Sequence, residues 1–390
     1  MSIKASNLDA STKVLKFGMV GGGQGAFIGD VHRKSAVMDG MAALAAGCFS
    51  RSYQNTLATG AMWGVPEERL YETYDEMAQK ESARDDGIDF AVIVTPNYSH
   101  YAAAKAFLEK GISVVCDKPL ALSSEQGEEL KKIAEENDAL LCVTYSYTGY
   151  PMVRQMREMI ANGDIGKIRA VSGRYIQGWL ATEIEMDGQK QASWRCDPQF
   201  SGISNATGDI GTHLENLISY TTGLKIESLC ANLRPIGEHR KLDNDGQIIV
   251  KYEGGATGMM WCSQIAIGYD NDLRVTICGE KGSIEWVQEN PNYLRVDMIG
   301  EPTKIMSRGN GYFYPAVNDM NRIPAGHVEG HFVAFANIYK AFLTVLGCKL
   351  SGQDMPVLIY PGADYGIEGN KFIEKCVESS SRGAVWVDFK

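Results

Sequence analysis

Three short segments carry residues whose types and spacing could do chemistry. In Gly208-Asp209-Ile210-Gly211-Thr212-His213 a carboxylate and an imidazole stand four residues apart, on one face if the segment is helical. Histidine titrates near neutral pH, so His213 is the candidate to take the proton of a hydroxyl as a hydride leaves its carbon, with Asp209 as its orienting partner. In Cys116-Asp117-Lys118-Pro119 a strand-like run ends on an ammonium that could hydrogen-bond to, or exchange a proton with, the same hydroxyl. No third ligand at a recognisable spacing joins Asp209 and His213, so a catalytic metal is not expected.

The third segment, Gly21-Gly22-Gly23-Gln24-Gly25-Ala26, satisfies the GxGxxG/A pattern at Gly21, Gly23 and Ala26. Glycine permits a tight turn and lets backbone N–H groups and a helix N-terminus approach a pyrophosphate. The pattern alone is weak, but here it follows the first strand of a repeated α/β pattern. About 25 residues further on, the second strand ends in Cys48-Phe49-Ser50-Arg51, where an acidic residue would ordinarily hold the ribose hydroxyls of NAD. Arg51 could instead pair with a 2′-phosphate, favouring NADP, or stack on adenine. NAD is the expected cofactor, with NADP not excluded.

The elements that must position these residues can be read from periodicity. Short apolar runs at 15–20, 42–49, 90–95, 113–116 and 140–144 alternate with amphipathic stretches such as 100–110 and 124–137, the pattern of a doubly wound parallel sheet. Thr95-Pro96-Asn97-Tyr98-Ser99-His100 and the Lys118 turn follow two of these strands, at the end where such sheets bind ligands. After Tyr150 the pattern changes to a helix-like stretch from Met152 and strand-like runs at 168–176, 246–252, 258–267, 273–278 and 282–287. These imply an antiparallel or mixed sheet on which two late helices, 330–346 and 365–379, pack back. The expected division is a dinucleotide-binding domain at 1–147 and a substrate-binding and oligomerisation domain at 148–390.

Composition narrows the function classes. The chain of 390 residues is 44% hydrophobic and 22% charged, without a low-complexity tract or an apolar run near the ~20 residues of a membrane span. The polar opening lacks the apolar core of a secretory signal. Nine cysteines without CxxC pairing read as reduced thiols, so a cytoplasmic setting is expected. A formal net charge of -10 opposes a nucleic-acid footprint and leaves a small molecule as the expected partner.

Taken in order, GGGQGA, TPNYSH, CDKP and GDIGTH resemble the glucose-fructose oxidoreductase, inositol dehydrogenase and rhizopine-catabolism (Gfo/Idh/MocA) family, from about Lys16 onward. The resemblance implies a Rossmann domain followed by an α/β domain with a large open, mainly antiparallel mixed sheet. It implies NAD(P) and a sugar, glycoside or cyclitol substrate. Lys118 matches the family's catalytic lysine, with Asp117 replacing the commoner Glu; Asp209 and His213 match its aspartate and histidine. Thr95, Asn97 and His100 match its cofactor-lining turn, Trp194-Arg195 a WR element near the cofactor, and Tyr145, Tyr147, Trp179 and His327 are candidates for the sugar pocket. Two departures bear on substrate identity: Ile203-Ser204-Asn205 stands where the family has a glycine triplet, and Asn216 where an acid is common. The open sheet implies a homodimer or homotetramer. Two rival readings are an NAD-dependent oxidative glycosidase, working by transient C3 oxidation and elimination of an aglycone, and a non-catalytic dinucleotide sensor.

Overall fold

The computed structural model describes residues 13–357 and 359–390. The opening expected to lack a secretory signal lies outside the described residues over 1–12. Two compact units are present, one of residues 13–146 with His331–Ile367 and one of Tyr147–Gly330 with Glu368–Lys390. The break near residue 147 is where the sequence pattern changes. The later excursion corrects the expected division, because His331–Ile367 belongs with the first unit.

The first unit is a five-stranded parallel sheet of β1 (Leu15–Gly21), β2 (Ala42–Cys48), β3 (Phe90–Val94), β4 (Ser113–Cys116) and β5 (Leu141–Val143), in the order β2-β1-β3-β4-β5. The order reverses between β1 and β3, the switch point at whose C-terminal edge doubly wound sheets bind ligands. Because side chains alternate along a strand, both faces are apolar and both need cover. Ala91, Ile93, Val114, Cys116 and Val143 face a cluster with Ala103, Phe107, Leu130 and Ile133. Phe17, Met19, Phe90, Val92 and Val115 face Val31 and the helix His331–Leu350, through Phe335, Ile338, Tyr339, Phe342 and Leu346. The ring of Phe342 meets that of Phe90 at 5.6 Å.

That late helix corrects two expectations. By length and mean hydropathy, 1.3, it is long and apolar enough to cross a membrane, although the sequence reading found no such run. Its apolar residues cover the sheet of the first unit and not, as its place late in the chain suggests, the second sheet. The other late helix, Ala363–Ser381, spans the division between Ile367 and Glu368.

The second unit is built on a nine-stranded sheet of β6 (Ile168–Ile176), β7 (Ile226–Arg234), β8 (Asp245–Tyr252), β9 (Thr257–Ser263), β10 (Asp272–Gly279), β11 (Gly282–Val287), β12 (Tyr293–Met298), β13 (Lys304–Ser307) and β14 (Val387–Asp388). Its order is β13-β12-β11-β10-β6-β9-β8-β7-β14, antiparallel except where β6 pairs with β9. This is the mixed, mainly antiparallel sheet expected. In β8 the alternation is clean: Ile248, Val250 and Tyr252 are buried while Ile249 and Lys251 face outward. The helices Pro151–Ala161 and Thr212–Thr222 belong to this unit, the second with every residue from Thr212 to Thr221 buried.

Replacing Phe342 with Ala should leave a cavity under β1 and β3 and destabilise the first unit by about 3–5 kcal/mol. Urea unfolding followed by fluorescence checks this; a loss under about 1 kcal/mol would mean that the helix adds little to that core.

Candidate active site

In the first unit the glycine turn is shaped for close backbone approach. Gly21, Gly22 and Gly25 have positive φ (85°, 77° and 84°), a region that costs a side-chain-bearing residue roughly 1–2 kcal/mol. A Cβ on Gly22 would lie 2.7 Å from Cα of Gly29, so the helix Ile28–Val37 can sit against the turn only because nothing is there. Gly23 donates its N–H to the Phe49 carbonyl (3.0 Å), and Gln24 donates its own to Asn55 Oδ1 and Thr59 Oγ1 (both 3.1 Å). The turn is thereby tied to the segment after β2. Phe27 provides no side-chain cap to the helix that follows, so the first N–H groups of that helix remain suited to an anion such as a pyrophosphate.

The Lys118 turn is locked by its neighbours. The Asp117 N–H donates to the Ile93 carbonyl (2.9 Å), and its Oδ1 accepts from the Lys118 N–H (2.9 Å) and from Thr144 Oγ1 (3.0 Å). His100, buried, joins this turn to the one after β3: Nδ1 lies 2.7 Å from the Pro119 carbonyl and Nε2 2.8 Å from that of Thr95. Thus Thr95, His100, Asp117 and Lys118, and Asn97 buried in the same turn, are brought together at the C-terminal edge of β3 and β4. Beneath them His32 pairs at Nδ1 with the Tyr339 hydroxyl (2.7 Å), and its Nε2 is 4.0 Å from Asp117 Oδ1. Burial pulls His32 down to about 4, against the opposing pull of Asp117 and helped by His331 and His100. Neither His32 nor Tyr339 was singled out from sequence; each sits on an amphipathic helix, where a buried polar residue resembles a core position.

In the second unit Asp209 and His213 do not share one regular helix. Thr207–Gly211 forms a widened π-type turn and His213 lies in the first turn of the α-helix Thr212–Thr222. The cause is the anchoring upstream: Asp243 accepts the N–H groups of Asn205 (3.0 Å) and Thr207 (2.8 Å) and the Thr207 hydroxyl (2.8 Å), while Ser204 Oγ accepts the Gly208 N–H (3.0 Å). Ser204 and Asn205, the departures from the glycine triplet, are therefore part of this anchor. Such π-type insertions recur at functional sites. Asp209 Oδ2 accepts from Arg195 Nε (3.2 Å) and Gln264 Nε2 (2.8 Å), so the carboxylate is held by a cation and an amide. The Arg195 guanidinium stacks 4.1 Å over Trp194, which places the WR pair beside Asp209.

Around His213, which is buried, stand two tyrosines: Tyr147 at 4.8 Å and Tyr175 at 6.3 Å between ring centroids. Their hydroxyls are paired; Tyr175 donates to Asn271 Oδ1 (2.8 Å), Gln177 Nε2 donates to the same oxygen (2.7 Å), and Trp179 Nε1 donates to Gln177 Oε1 (3.1 Å). Burial holds both phenols above their ordinary range, so they remain O–H groups at neutral pH. Tyr147, Trp179 and His213 thus belong to one polar track. Tyr175, Gln177, Gln264 and Asn271 carry no local motif, because they lie on β6, just after it, after β9 and before β10, far apart in sequence. His327 is exposed, and its main chain is held by a bond from its N–H to the Pro324 carbonyl (3.4 Å) and one to its carbonyl from Arg308 Nη2 (2.7 Å); the structure does not bring its ring to this track. Ser50 and Arg51 follow β2 at the surface of the first unit.

Residues 15–145 match the oxidoreductase family with an NAD-binding Rossmann fold, and residues 153–285 match the GFO/IDH/MocA C-terminal domain. The chain is 39% identical over 389 residues to the oxidoreductase YfiI of Bacillus subtilis (strain 168), covering 97% of this chain and 98% of that one. Among solved structures, an inositol dehydrogenase homologue from Azotobacter vinelandii complexed with NAD+ superposes with a TM-score of 0.95 at 36% identity, covering 99% and 100% of the two chains. Its complex with NADH and myo-inositol gives 0.90 at 34% identity over 96% and 98%.

Gly22→Ala should weaken NAD binding at least about tenfold, because strain and the displaced helix together exceed the 1.4 kcal/mol that a factor of ten represents; calorimetric titration reads this, and unchanged affinity would remove the turn from the site. His32 yields a second expectation. Its folded value, about 4, lies below the unfolded 6.5, so its contribution to stability is full above pH 6.5 and is lost as pH falls toward 4. Between pH 7 and 5 the native protein should lose about 2 kcal/mol more stability than His32→Gln, and parallel urea midpoints for the two proteins would contradict a buried neutral imidazole.

Proposed function

Because the chain belongs to the Gfo/Idh/MocA family of NAD-binding oxidoreductases, we propose that it transfers a hydride between NAD and a secondary hydroxyl of a sugar, glycoside or cyclitol. The observation that carries the reading is the environment of His213: an imidazole in a buried pocket of paired hydroxyls and amides, one turn from a carboxylate held by Arg195 and Gln264. Donors and acceptors packed this densely suit a polyhydroxylated substrate. The solved complex of the Azotobacter homologue with myo-inositol supports that class.

NAD, when bound, would supply the hydride acceptor, and the glycine turn of residues 21–26, the turn at Thr95 and Asn97, and the uncapped helix N-terminus after Phe27 would hold it. His213 takes the hydroxyl proton as the carbon is oxidised. Lys118, fixed in its turn by Asp117 and the His100 bridge, donates a hydrogen bond to the substrate oxygen as negative charge gathers there. Asp209 favours the protonated imidazole electrostatically, and Arg195 with Gln264 sets the orientation of its carboxylate. The same reading places the protein in the cytoplasm, where its nine free cysteines stay reduced, and has it assemble through the open sheet face that exposes Ile249 and Met259.

Anaerobic incubation with NAD and a panel of inositols, aldoses and glycosides should show reduced nicotinamide absorbance with one polyol class. Lys118→Ala and His213→Ala should each lower kcat/KM by about 10²–10⁴-fold. Turnover unchanged in both variants would remove the assigned roles, and aglycone release without accumulated NADH would make the reaction oxidative glycoside cleavage instead.

A further inference from the structure

The hydroxyl pair beside His213 has a direction, and a residue outside the reacting groups sets it. The indole N–H of Trp179 can only donate, so Gln177 must turn its Oε1 to it (3.1 Å). The Gln177 Nε2 is then the group that reaches Asn271 (2.7 Å), and Asn271 must answer with Oδ1 while its Nδ2 donates to Gln288 Oε1 (3.1 Å). Tyr175 meets the same Oδ1 (2.8 Å), an atom that only accepts, so the single hydroxyl hydrogen of Tyr175 is committed there. One arrangement remains for the paired hydroxyls: Tyr147 donates and Tyr175 accepts. Burial keeps both phenols as O–H groups. The chain ends on an amide oxygen, which is not a base near neutral pH, so it carries no proton away from His213.

The imidazole lies nearer to Tyr147 than to Tyr175, 4.8 against 6.3 Å between ring centroids, and the Tyr147 hydrogen is aimed at the farther ring. The oxygen end of that dipole is left on the side of His213. Other charged groups that meet the helix Thr212–Thr222 in the second unit are engaged with partners of their own. Asp209 precedes it in the widened turn and is held by Arg195. Arg154 and Arg157 of Pro151–Ala161 turn to Tyr220, further along the helix (3.1 and 2.7 Å). Arg174 of β6 pairs with Asp272 of β10, and Arg274 with Glu285. Glu368 accepts from Ser219 (3.4 Å), and burial beside Glu368 holds Glu215 well above the carboxylate range. We propose that Asn271 is a positioning residue that acts on His213 through Tyr175 and Tyr147. By fixing the direction of both hydroxyls it keeps oxygen, and not hydrogen, toward the imidazole and so favours the imidazolium that forms when His213 takes a substrate proton. The inference deepens the role given to His213 above and rests on that reading for its catalytic meaning.

The test needs neither NAD nor substrate. The full chain, carrying isotope-labelled histidine, is titrated with pH by nuclear magnetic resonance, and the His213 ring is identified among the six histidines by its loss in His213→Gln. Asn271→Leu should lower the titration midpoint of His213 by at least about half a pH unit, the scale of one hydrogen bond. Gln177→Leu should lower it in the same sense, and it carries the prediction if Asn271→Leu does not fold. In the Tyr147→Phe background both effects should vanish, because the route from Asn271 to His213 is cut. An unchanged or raised midpoint, a drop that persists in Tyr147→Phe, or a His213 ring that does not titrate in the folded chain overturns the proposal. Because no turnover is read, failure here leaves the hydride-transfer reading untouched, and failure of that reading leaves the midpoint to be measured.

Discussion

The first sheet is apolar on both faces, and a parallel sheet of this kind has no stable form in water until each face is covered. Local crossover helices cover one face with Phe107, Leu130 and Ile133. The other is completed by a helix that begins at His331, after eight of the nine strands of the second sheet in chain order. The turns that carry the glycines, Thr95 and Lys118 hang from the C-terminal ends of these strands, so their geometry depends on a core closed by distant residues. The same helix contributes Tyr339, which meets His32 under Asp117 and so links the covering of the sheet to the turn that holds Lys118.

A second constraint is the satisfaction of buried polar groups. In the second unit the segment leading to His213 would leave several N–H groups without partners at the start of a helix. Asp243 and Ser204 accept three of these N–H groups and the Thr207 hydroxyl, and the price is a locally widened turn. The widened turn displaces Asp209 from the regular i, i+4 relation to His213, and its carboxylate is met by Arg195 and Gln264. A half-buried carboxylate left with neither would be costly, whereas one held by both keeps a fixed orientation beside the hydroxyls and amides around His213.

Most of the strands were legible because their signals are local. Alternation and short apolar runs located β1 to β6 and β8 to β11 to within a few residues, and the strand-to-glycine junction marked the dinucleotide turn. Strands β7, β12, β13 and β14 escaped notice: Ile226–Arg234 carries polar residues on its outward face, and the last three are short, of six, four and two residues, with β13 and β14 at the two sheet edges. Among the site residues, Lys118, Asp209 and His213 stand in compact motifs and could be named from type and spacing. Tyr175, Gln177, Gln264 and Asn271 have no motif, since what joins them is hydrogen bonding between strands and loops up to about a hundred residues apart.

What the sequence by itself determined is the set of reactive groups, the glycine turn and the class of each unit, because these follow from residue type, short spacing and periodicities that any local window contains. Tertiary structure alone decided which late helix closes which sheet, that Asp209 answers to Arg195 and Gln264, that His327 stands apart from the track around His213, and that His32 is a buried neutral base. Those outcomes depend on which apolar face and which buried polar atom find a partner in the folded chain, and no local window contains both partners.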